Sequence, residues 1–395
     1  MPSTAQRHPT LFQTYAERSE QPNLTPLATY LLRLIHLKRT NLCVSADVTS
    51  TSELLKVAEE VGDHICVLKT HADIIDDFGD KTIRGLNDIA RRKKFLVFED
   101  RKFGDIGNTV QHQYVGGPLA IVKWAPIVNC HIFPGAAIIT ALAQAAAKAI
   151  AQHNSSVSTD ISASPAASNF DNDDVEEEEP QGMEEEEEEE EEQRREEESE
   201  SEEEEPQDDR KSRKQSVVSV STTISTKTET LSPQPHLKPS ISRGSTDDSD
   251  GEENAEDLAR QLEELGPPPF FRSLLLLAQM SSAGNFFTPE YSLACQKHAR
   301  ENKDFVMGFI AQESLNTEPD DNFITMTPGV QLAAGGDGLG QQYNTPRRVI
   351  GECGTDIIIV GRGILAAHDR RRAALDYRRQ GWTAYEERLG SGRKP

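Results

Sequence analysis

Short, nearly continuous apolar runs recur along the chain, and stretches with apolar residues at helical spacing separate them. The eight apolar runs cover 42–47, 65–70, 95–102, 127–131, 273–280, 305–312, 323–328 and 356–361. The helix-like stretches cover 52–61, 82–93, 109–116, 136–151, 289–302, 346–351 and 370–381, after a first helix that Thr25 and Pro26 open as N-cap and first residue. Runs that are apolar throughout are typical of parallel strands covered on both faces. The pattern therefore predicts an α/β fold, a parallel (β/α)8 TIM barrel.

Residues 152–267 interrupt this alternation between the fourth helix and the fifth strand. They contain 37 Asp and Glu against 10 Lys and Arg, whereas the other 279 residues are nearly neutral, so the net charge of −24 comes from this segment. Nine consecutive Glu at 184–192 repel one another, and few apolar side chains offset the entropy of ordering. We expect a disordered acidic insertion with one helix over 254–265.

The predicted organisation is a barrel in two parts, 1–151 and 268–395, with the insertion 152–267 between them. A helix-to-strand connection lies on the N-terminal face of such a barrel, opposite the face that carries active sites. The insertion is therefore expected neither to build nor to block the site. A role as an interaction or regulatory module is a separate hypothesis for it.

Composition indicates a cytoplasmic protein. The chain has no charged-then-apolar signal pattern at its N-terminus and no apolar run of the roughly 18 residues needed to span a membrane. Its one short basic patch, 210–214, lacks interleaved aromatic residues, so we expect no nucleic-acid partner. The cysteines have no metal-ligand spacing and are expected to be buried reduced thiols: Cys43, Cys66, Cys130, Cys295 and Cys353.

Charged and polar side chains gather where the predicted strands end. Asp100 and Lys102 occupy alternate positions of the third strand, so both should lie on one face, and Asp105 follows them. The ends of parallel barrel strands converge on one mouth, which collects Asp47, Lys69, Asp100, Lys102, Asp105, Ser281, Pro328 and Arg362. The alternative interpretation is a structural ion-pair network. His71 and His131 lie outside any metal motif and are interpreted as core or supporting residues.

Six motifs carry a resemblance to a known family. They are NLCVSAD at 41–47, LKTHAD at 68–73, FEDRKFGDIGNT at 98–109, MTPGV at 326–330, GQQY at 340–343 and IVGRG at 359–363. In this order they resemble the orotidine 5′-phosphate decarboxylase family of fungal type, across almost all of the chain outside the insertion. The resemblance implies conversion of orotidine 5′-monophosphate to UMP and CO2 in pyrimidine synthesis, without metal or organic cofactor.

The resemblance also implies a role for each matched residue. Lys102 stabilises the carbanion at C6 and protonates it, Asp100 lies beside the departing carboxylate, and Lys69 and Asp105 complete a Lys-Asp-Lys-Asp network. The family is a homodimer with shared sites, in which Asp105 and Thr109 serve the partner subunit. The implied substrate contacts are Asp47 and Thr109 for the ribose, Ser281 for the pyrimidine, Pro328 at the same mouth, and Gln341, Tyr343, Gly361 and Arg362 for the phosphate.

Two further readings stay open. A related barrel can use the same Asp-Lys-Asp arrangement with a metal ion on a sugar phosphate, and metal dependence separates that activity from the decarboxylation. The glycines at 335–340 predict either a lid that closes over the substrate or a plain connecting loop.

Overall fold

The computed structural model of this 395-residue chain describes residues 7–160, 221–226, 250–332, 335–336 and 342–391. The chain divides into two units, Met1–Asn154 with Thr228–Pro395, and Ser155–Lys227. In the smaller unit, Ser155–Asp160 and Ser221–Thr226 form an antiparallel pair that begins with Ser155 opposite Thr226. The disorder predicted for the insertion concerns mainly 161–220 and 227–249, which lie outside the described residues.

Eight parallel strands form a closed barrel in the larger unit, which confirms the predicted fold. They are β1 Leu42–Ser45, β2 Val67–Thr70, β3 Leu96–Phe103, β4 Ile127–Cys130, β5 Ser273–Leu277, β6 Val306–Ile310, β7 Ile324–Thr327 and β8 Ile357–Val360. Neighbours around the barrel follow the order β1-β8-β7-β6-β5-β4-β3-β2. Every residue of seven strands is buried, because helices cover the barrel outside and side chains fill it inside. Only β3 is partly exposed, at Asp100, Arg101 and Lys102.

The helices follow the predicted pattern with shifted ends. They are α1 Tyr15–Ser19, α2 Pro26–Lys38, α3 Thr51–Val61, α4 Asp80–Lys93, α5 Gly107–Val115, α6 Ala137–Asn154, α7 Asp250–Glu264, α8 Pro289–Glu301, α9 Arg362–Leu365 and α10 Arg370–Ser391. The α2 start is confirmed, since the Thr25 hydroxyl accepts a hydrogen bond from Ala28 N at 3.1 Å. The helix predicted inside the insertion is α7. The stretch predicted at 346–351 is a π-helix, Arg347–Glu352.

The N-terminal end of the barrel is closed by α1 together with α10. Arg18 forms a buried ion pair with Asp356, just before β8, and its Nε donates to Asn322 Oδ1 at 2.8 Å. The Tyr15 hydroxyl donates to the Asp356 carbonyl at 2.8 Å, and its ring stacks on Tyr385 of α10 at 4.3 Å. This closure leaves the carboxyl ends of the strands as the open end.

All five cysteines are free thiols. Four are buried, namely Cys43, Cys66, Cys130 and Cys295, and the fifth, Cys353, is partly exposed. Within the described ranges, no helix combines the length and hydrophobicity that crossing a bilayer requires.

A single buried ammonium group fixes the starts of β2 and β3. Lys38 Nζ, at the end of α2, lies within hydrogen-bonding distance of four carbonyl oxygens that share its N–H groups: those of Gly62 at 2.9 Å, Ile65 at 2.7 Å, Lys93 at 2.8 Å and Lys94 at 2.8 Å. The first two carbonyls precede β2 and the other two precede β3. Buried carbonyl groups need such partners. The chain ends that enter these two strands are thus held at one point.

Replacing this ammonium group should destabilise the protein. In Lys38→Met several buried carbonyls lose their donor, and each unsatisfied group costs about 1–3 kcal/mol, so we expect the free energy of unfolding to fall by roughly 3 kcal/mol or more. Urea unfolding, monitored by circular dichroism, measures this free energy. The control Lys56→Met, at an exposed position of α3, should change the value by less than about 0.5 kcal/mol. Equal unfolding midpoints for the two variants would contradict the assignment.

Candidate active site

A largely buried carboxylate, Asp100, lies at the mouth of the barrel with cationic and amide donors on both oxygens. Lys69 Nζ lies 2.7 Å from Oδ2, and His71 Nε2 lies 3.1 Å from the same oxygen. Lys102 Nζ lies 2.8 Å from Oδ1, which also accepts a hydrogen bond from Asn129 Nδ2 at 2.7 Å. The Asp100 side chain is 11% exposed, against 34% for Lys102. Asp100 therefore joins the carboxyl ends of β2, β3 and β4.

Mutual charge stabilisation keeps the pair Lys69 and Asp100 ionised. Burial by itself raises the pKa of Asp100, but Lys69, His71 and Lys102 outweigh it and hold that pKa well below its usual value. Burial by itself lowers the pKa of Lys69, and the negative charges of Asp100 and Asp47 reverse this and raise it. An opposite charge at such short distance favours the charged form of each group. The mouth thus presents fixed charges at neutral pH.

The backbone is irregular at Lys102. Its φ is 49°, in the left-handed region, and the pairing of β3 with β4 shifts register between Glu99 and Phe103. Such a conformation in a residue other than Gly costs about 1–3 kcal/mol and persists where surrounding contacts impose it. Asn129 is one such contact, because its Oδ1 accepts a hydrogen bond from Lys102 N at 2.8 Å. Asp100 and Lys102 meet as predicted, although the strand that carries them is not regular there.

Asp47 extends the network to the ends of β1 and β8. Its Oδ1 accepts a hydrogen bond from Ser45 Oγ at 2.8 Å and lies 2.9 Å from His71 Nδ1 and 3.8 Å from Lys69 Nζ. Gly361, just after β8, lies beside it, and a β carbon there would contact Asp47 Oδ2 at 3.4 Å. The absence of a side chain at Gly361 therefore keeps the space beside this carboxylate open.

His71 bridges two carboxylates through its two ring nitrogens, to Asp47 and to Asp100. Only the imidazolium form donates from both nitrogens at once. Burial lowers the pKa of His71, and the positive charge of Lys69 lowers it further, but the hydrogen bonds to Asp100 and Asp47 prevail and raise it above 6.5. His71 is therefore a supporting member of the charged network, in line with its interpretation from the sequence.

The loop after β7 brings two of the predicted phosphate residues together. The guanidinium carbon of Arg362 lies 5.6 Å from the centre of the Tyr343 ring. Gln342 N donates to the Ser281 carbonyl at 3.2 Å, which ties the same loop to the end of β5. Pro328 begins the loop directly after β7. The ends of β5, β7 and β8 thus meet on one side of the mouth.

Gln341, predicted to contact the phosphate, lies outside the described residues, as do the glycines at 338 and 340. The described backbone of Gly335–Gly336 pairs antiparallel with Gln342–Tyr343. The lid stays a prediction.

Two of the predicted residues do not join the charged network within this chain. Asp105 and Thr109 are exposed, and Asp105 Oδ2 accepts a hydrogen bond from Gln113 Nε2 at 2.6 Å. Within the described ranges no lysine forms an ion pair with Asp105. The intervening Ile106 is 55% exposed. These residues therefore form an outward-facing edge beside the mouth.

Asn129 is the network member that the sequence reasoning did not single out. It is the third residue of β4, and its amide contacts both Asp100 and the Lys102 backbone. The available signal was a polar residue inside an otherwise apolar strand. Within the described residues, no group of three or more His, Cys, Asp or Glu side chains is arranged to hold a metal ion.

Comparison with known proteins places the chain in a family. Orotidine 5′-phosphate decarboxylase of Aureobasidium pullulans is 45% identical over 380 residues, covering 96% of this chain and 96% of that protein. The protein of the same name from Hypocrea jecorina is 44% identical over 398 residues, covering 97% and 99%. Uridine 5′-monophosphate synthase of Bos taurus is 34% identical over 376 residues, covering 95% and 53%. Residues 40–234 and 249–377 match the family described as Orotidine 5′-phosphate decarboxylase / HUMPS. The chain therefore belongs to the orotidine 5′-phosphate decarboxylase / HUMPS family.

Proposed function

We propose that this protein converts orotidine 5′-monophosphate to UMP and CO2. The single observation that carries the proposal is the Lys69–Asp100–Lys102 arrangement at the barrel mouth. The proposal is supported by relatives of nearly the same length that bear the name orotidine 5′-phosphate decarboxylase. The family description alone is broader, so the substrate is part of the proposal.

The reaction breaks the bond between C6 of the pyrimidine and its carboxylate and leaves the electron pair on C6. In the proposed mechanism the Lys102 ammonium faces C6, stabilises this pair and then donates a proton to it, so that UMP and CO2 result. Asp100 lies beside the departing carboxylate, and two like charges held close raise the energy of the bound substrate. Lys102 suits the donor role because its side chain is 34% exposed, whereas the side chain of Lys69 is 7% exposed. Lys102 regains its proton from solvent.

Lys102 cannot supply the whole acceleration. One preorganised electrostatic contact is worth about 2.7–4 kcal/mol in the transition state, whereas a difficult reaction requires roughly 20 kcal/mol. The remainder must come from other network members and from binding energy of substrate parts that do not react. A substrate with a phosphate and a ribose offers such parts.

The proposed substrate contacts follow the mouth from one side to the other. Asp47 binds a ribose hydroxyl, and Ser281 binds the pyrimidine edge near Pro328. Tyr343 and Arg362 bind the phosphate, and a planar guanidinium suits phosphate oxygens. Backbone N–H groups at Gly361 and Arg362 add donors, as often found after the last strand of a TM barrel. The proposed phosphate contacts also include Gln341, on the basis of the family resemblance.

A cytoplasmic location is part of the proposal. It is supported by the five free cysteines, of which four are buried. Reduced thiols are typical of compartments that glutathione and thioredoxin keep reducing, whereas oxidising compartments favour disulfides.

We also propose a homodimer in which Asp105 and Thr109 complete the site of the partner subunit. The support is that both side chains are exposed and take no part in the network around Lys102 in their own chain. Two apolar side chains that follow neighbouring strands are exposed as well: Ile106, after β3, at 55% and Phe133, after β4, at 57%. A second copy over this face would bury apolar surface and bring a carboxylate to the mouth.

The acidic insertion is proposed to be dispensable for catalysis. The support is the element order, because the insertion follows α6 and precedes β5, and helix-to-strand connections of such a barrel lie on the N-terminal side of the strands. Its α7 helix is different, because Leu262 packs against the core and the Tyr30 hydroxyl donates to Gly266 O at 3.3 Å. We therefore assign α7 to the barrel and only the remainder to the insertion.

The first test is turnover of orotidine 5′-monophosphate by the purified protein in the presence of EDTA. We expect chelator-resistant activity, and a loss of roughly 10⁴-fold or more in kcat/KM for Lys102→Ala, since both charge stabilisation and proton donation disappear. The control Lys81→Ala, at an exposed position of α4, should keep its activity. Absence of orotidylate turnover, together with Mg²⁺-dependent activity on a sugar phosphate, would reject the proposal.

The second test mixes two inactive variants, Lys102→Ala and Asp105→Ala. If the two residues act from different subunits, each heterodimer contains one intact site, and up to about a quarter of the wild-type activity should return after random subunit exchange. Exchange is verified by native mass spectrometry of differently tagged chains. No recovery despite proven exchange sinks the shared-site proposal.

The third test deletes Ser155–Lys227 and joins Asn154 to Thr228 through two glycines. A short linker is chosen because Ser155 and Thr226, inside the deleted segment, are paired across strands and such Cα atoms lie about 4.5–5.5 Å apart. We expect kcat and KM within about threefold of the full chain, as for a removable surface insertion. A second variant with Ser in place of the nine Glu at 184–192 separates charge from length. Collapse of kcat in a folded deletion protein would show that the insertion belongs to the working enzyme.

A further inference from the structure

A second buried carboxylate, Glu99, directly precedes Asp100 in β3 and takes no part in the proposed chemistry. Its side chain is 0% exposed. Oε2 accepts a hydrogen bond from Thr70 Oγ1 at 2.6 Å, and Ala72 N donates to Oε1 at 2.9 Å and to Oε2 at 3.2 Å. Within the described part of the chain, no Lys, Arg or His forms an ion pair with it. Glu99 therefore acts as a hydrogen-bond acceptor for a hydroxyl and a backbone N–H group at the end of the adjacent strand, β2.

The segment that Glu99 contacts is 69–72, where β2 ends. Thr70 is the last residue of the strand, and a single 3-10 turn begins at Ala72. His71, the residue before this turn, provides no side-chain cap for it. Glu99 therefore caps the turn from the adjacent strand by accepting its first N–H group. Without this acceptor, a buried backbone donor would lose its partner.

Glu99 and Asp100 hold the segment 69–72 from opposite faces of the sheet. Successive side chains of a strand point to opposite faces, so the two carboxylates of β3 point away from each other. Asp100 contacts the side chains of Lys69 at 2.7 Å and His71 at 3.1 Å. Glu99 contacts the hydroxyl and the backbone of the residues that alternate with them. Every residue of the segment is thus bound by one of two consecutive carboxylates.

We propose that Glu99 is a positioning residue of the active site. It fixes the segment 69–72 against β3, so that the ammonium of Lys69 and the imidazole of His71 meet the carboxylate of Asp100. The groups around Asp100 already lie at hydrogen-bonding distance, so a small shift would break these contacts. A displacement of about 1 Å among catalytic groups can lower the rate about 10²-fold. The loss of rate expected when Glu99 is replaced rests on the proposed decarboxylase function. The effect expected on the position of the His71 ring does not.

The role assigned to Glu99 depends on its shape more than on its charge. Burial raises the pKa of this carboxyl to about 7, although the hydrogen bonds from Thr70 and Ala72 oppose the rise, His71 lowers it and Asp73 adds to it. A Gln side chain has the same length. Its amide oxygen can accept from Ala72 N, and its amide NH₂ can donate to Thr70 Oγ1. Gln should therefore preserve the position of the segment, whereas the shorter Asp should not.

Three variants separate position from charge: Glu99→Gln, Glu99→Asp and Glu99→Ala. We expect Glu99→Gln to retain kcat/KM within about threefold, and the other two to lose about 10- to 100-fold, mainly in kcat. The core variant Val57→Ala, in α3, provides a destabilised enzyme in which the segment is intact, and its kcat/KM per folded molecule should be that of the wild type. If Glu99→Ala does not fold, the comparison of kcat/KM between Glu99→Asp and Glu99→Gln still tests the proposal.

The second measurement is the titration of the His71 ring by NMR, which needs no activity. In the wild-type protein its pKa is raised above 6.5 by Asp100 and Asp47. We expect it to fall toward the ordinary value in Glu99→Asp, where the charge remains but the contacts loosen, and to stay raised in Glu99→Gln and Val57→Ala.

Two results would overturn the proposal. An active Glu99→Asp beside an inactive Glu99→Gln would assign the role to charge. Lowered thermal stability with unchanged kcat/KM and unchanged His71 titration in Glu99→Asp and Glu99→Ala would reduce Glu99 to a structural residue. If the wild-type protein does not turn over orotidylate, the proposed function fails, and the His71 titration still tests the positioning.

Discussion

The ionised carboxylate of Asp100 is the group on which the arrangement of the barrel mouth depends. A charge removed from water must be compensated by donors, and two lysines, an imidazole and an amide provide them from the ends of β2, β3 and β4. Each donor can reach Asp100 only if the end of its strand lies level with Asp100 along the barrel axis. At the end of β3 this contact coincides with an irregular backbone, where Lys102 adopts a left-handed conformation.

The two lysines of the network carry the same charge in different surroundings. Lys69 is buried and lies 2.7 Å from Asp100 and 3.8 Å from Asp47, whereas the side chain of Lys102 is partly exposed. A buried ammonium surrounded by carboxylates holds its proton, and an exposed one can exchange it with solvent. In the proposed mechanism this difference in environment assigns electrostatic support to Lys69 and proton transfer to Lys102, although both are lysines.

The sequence predicted the barrel well, because strands buried on both faces leave uninterrupted apolar runs and the Thr25 cap marks a helix start. It also located Asp100, Lys102, Lys69 and Asp47, since charged residues stand out at strand ends. It did not reveal the role of Asn129, the cap that Glu99 provides or the backbone conformation of Lys102. Each of these depends on which strands become neighbours and in what register, and no local periodicity encodes that. Asp105 lies outside the network of its own chain, as expected of a residue assigned to the site of the partner subunit.

Lys38 has a consequence for the precision of this site. Its ammonium binds the chain where β2 and β3 begin, while Asp100 and Glu99 bind the same pair of strands where they finish. A slip of one residue between two strands displaces them by about 3.3 Å, which would separate every donor from Asp100. Attachment at both ends forbids this sliding and resists shear between the strands. Between β2 and β3, the side-chain torsions of Lys69 and Lys102 are then the main freedom left to the groups that face a bound substrate.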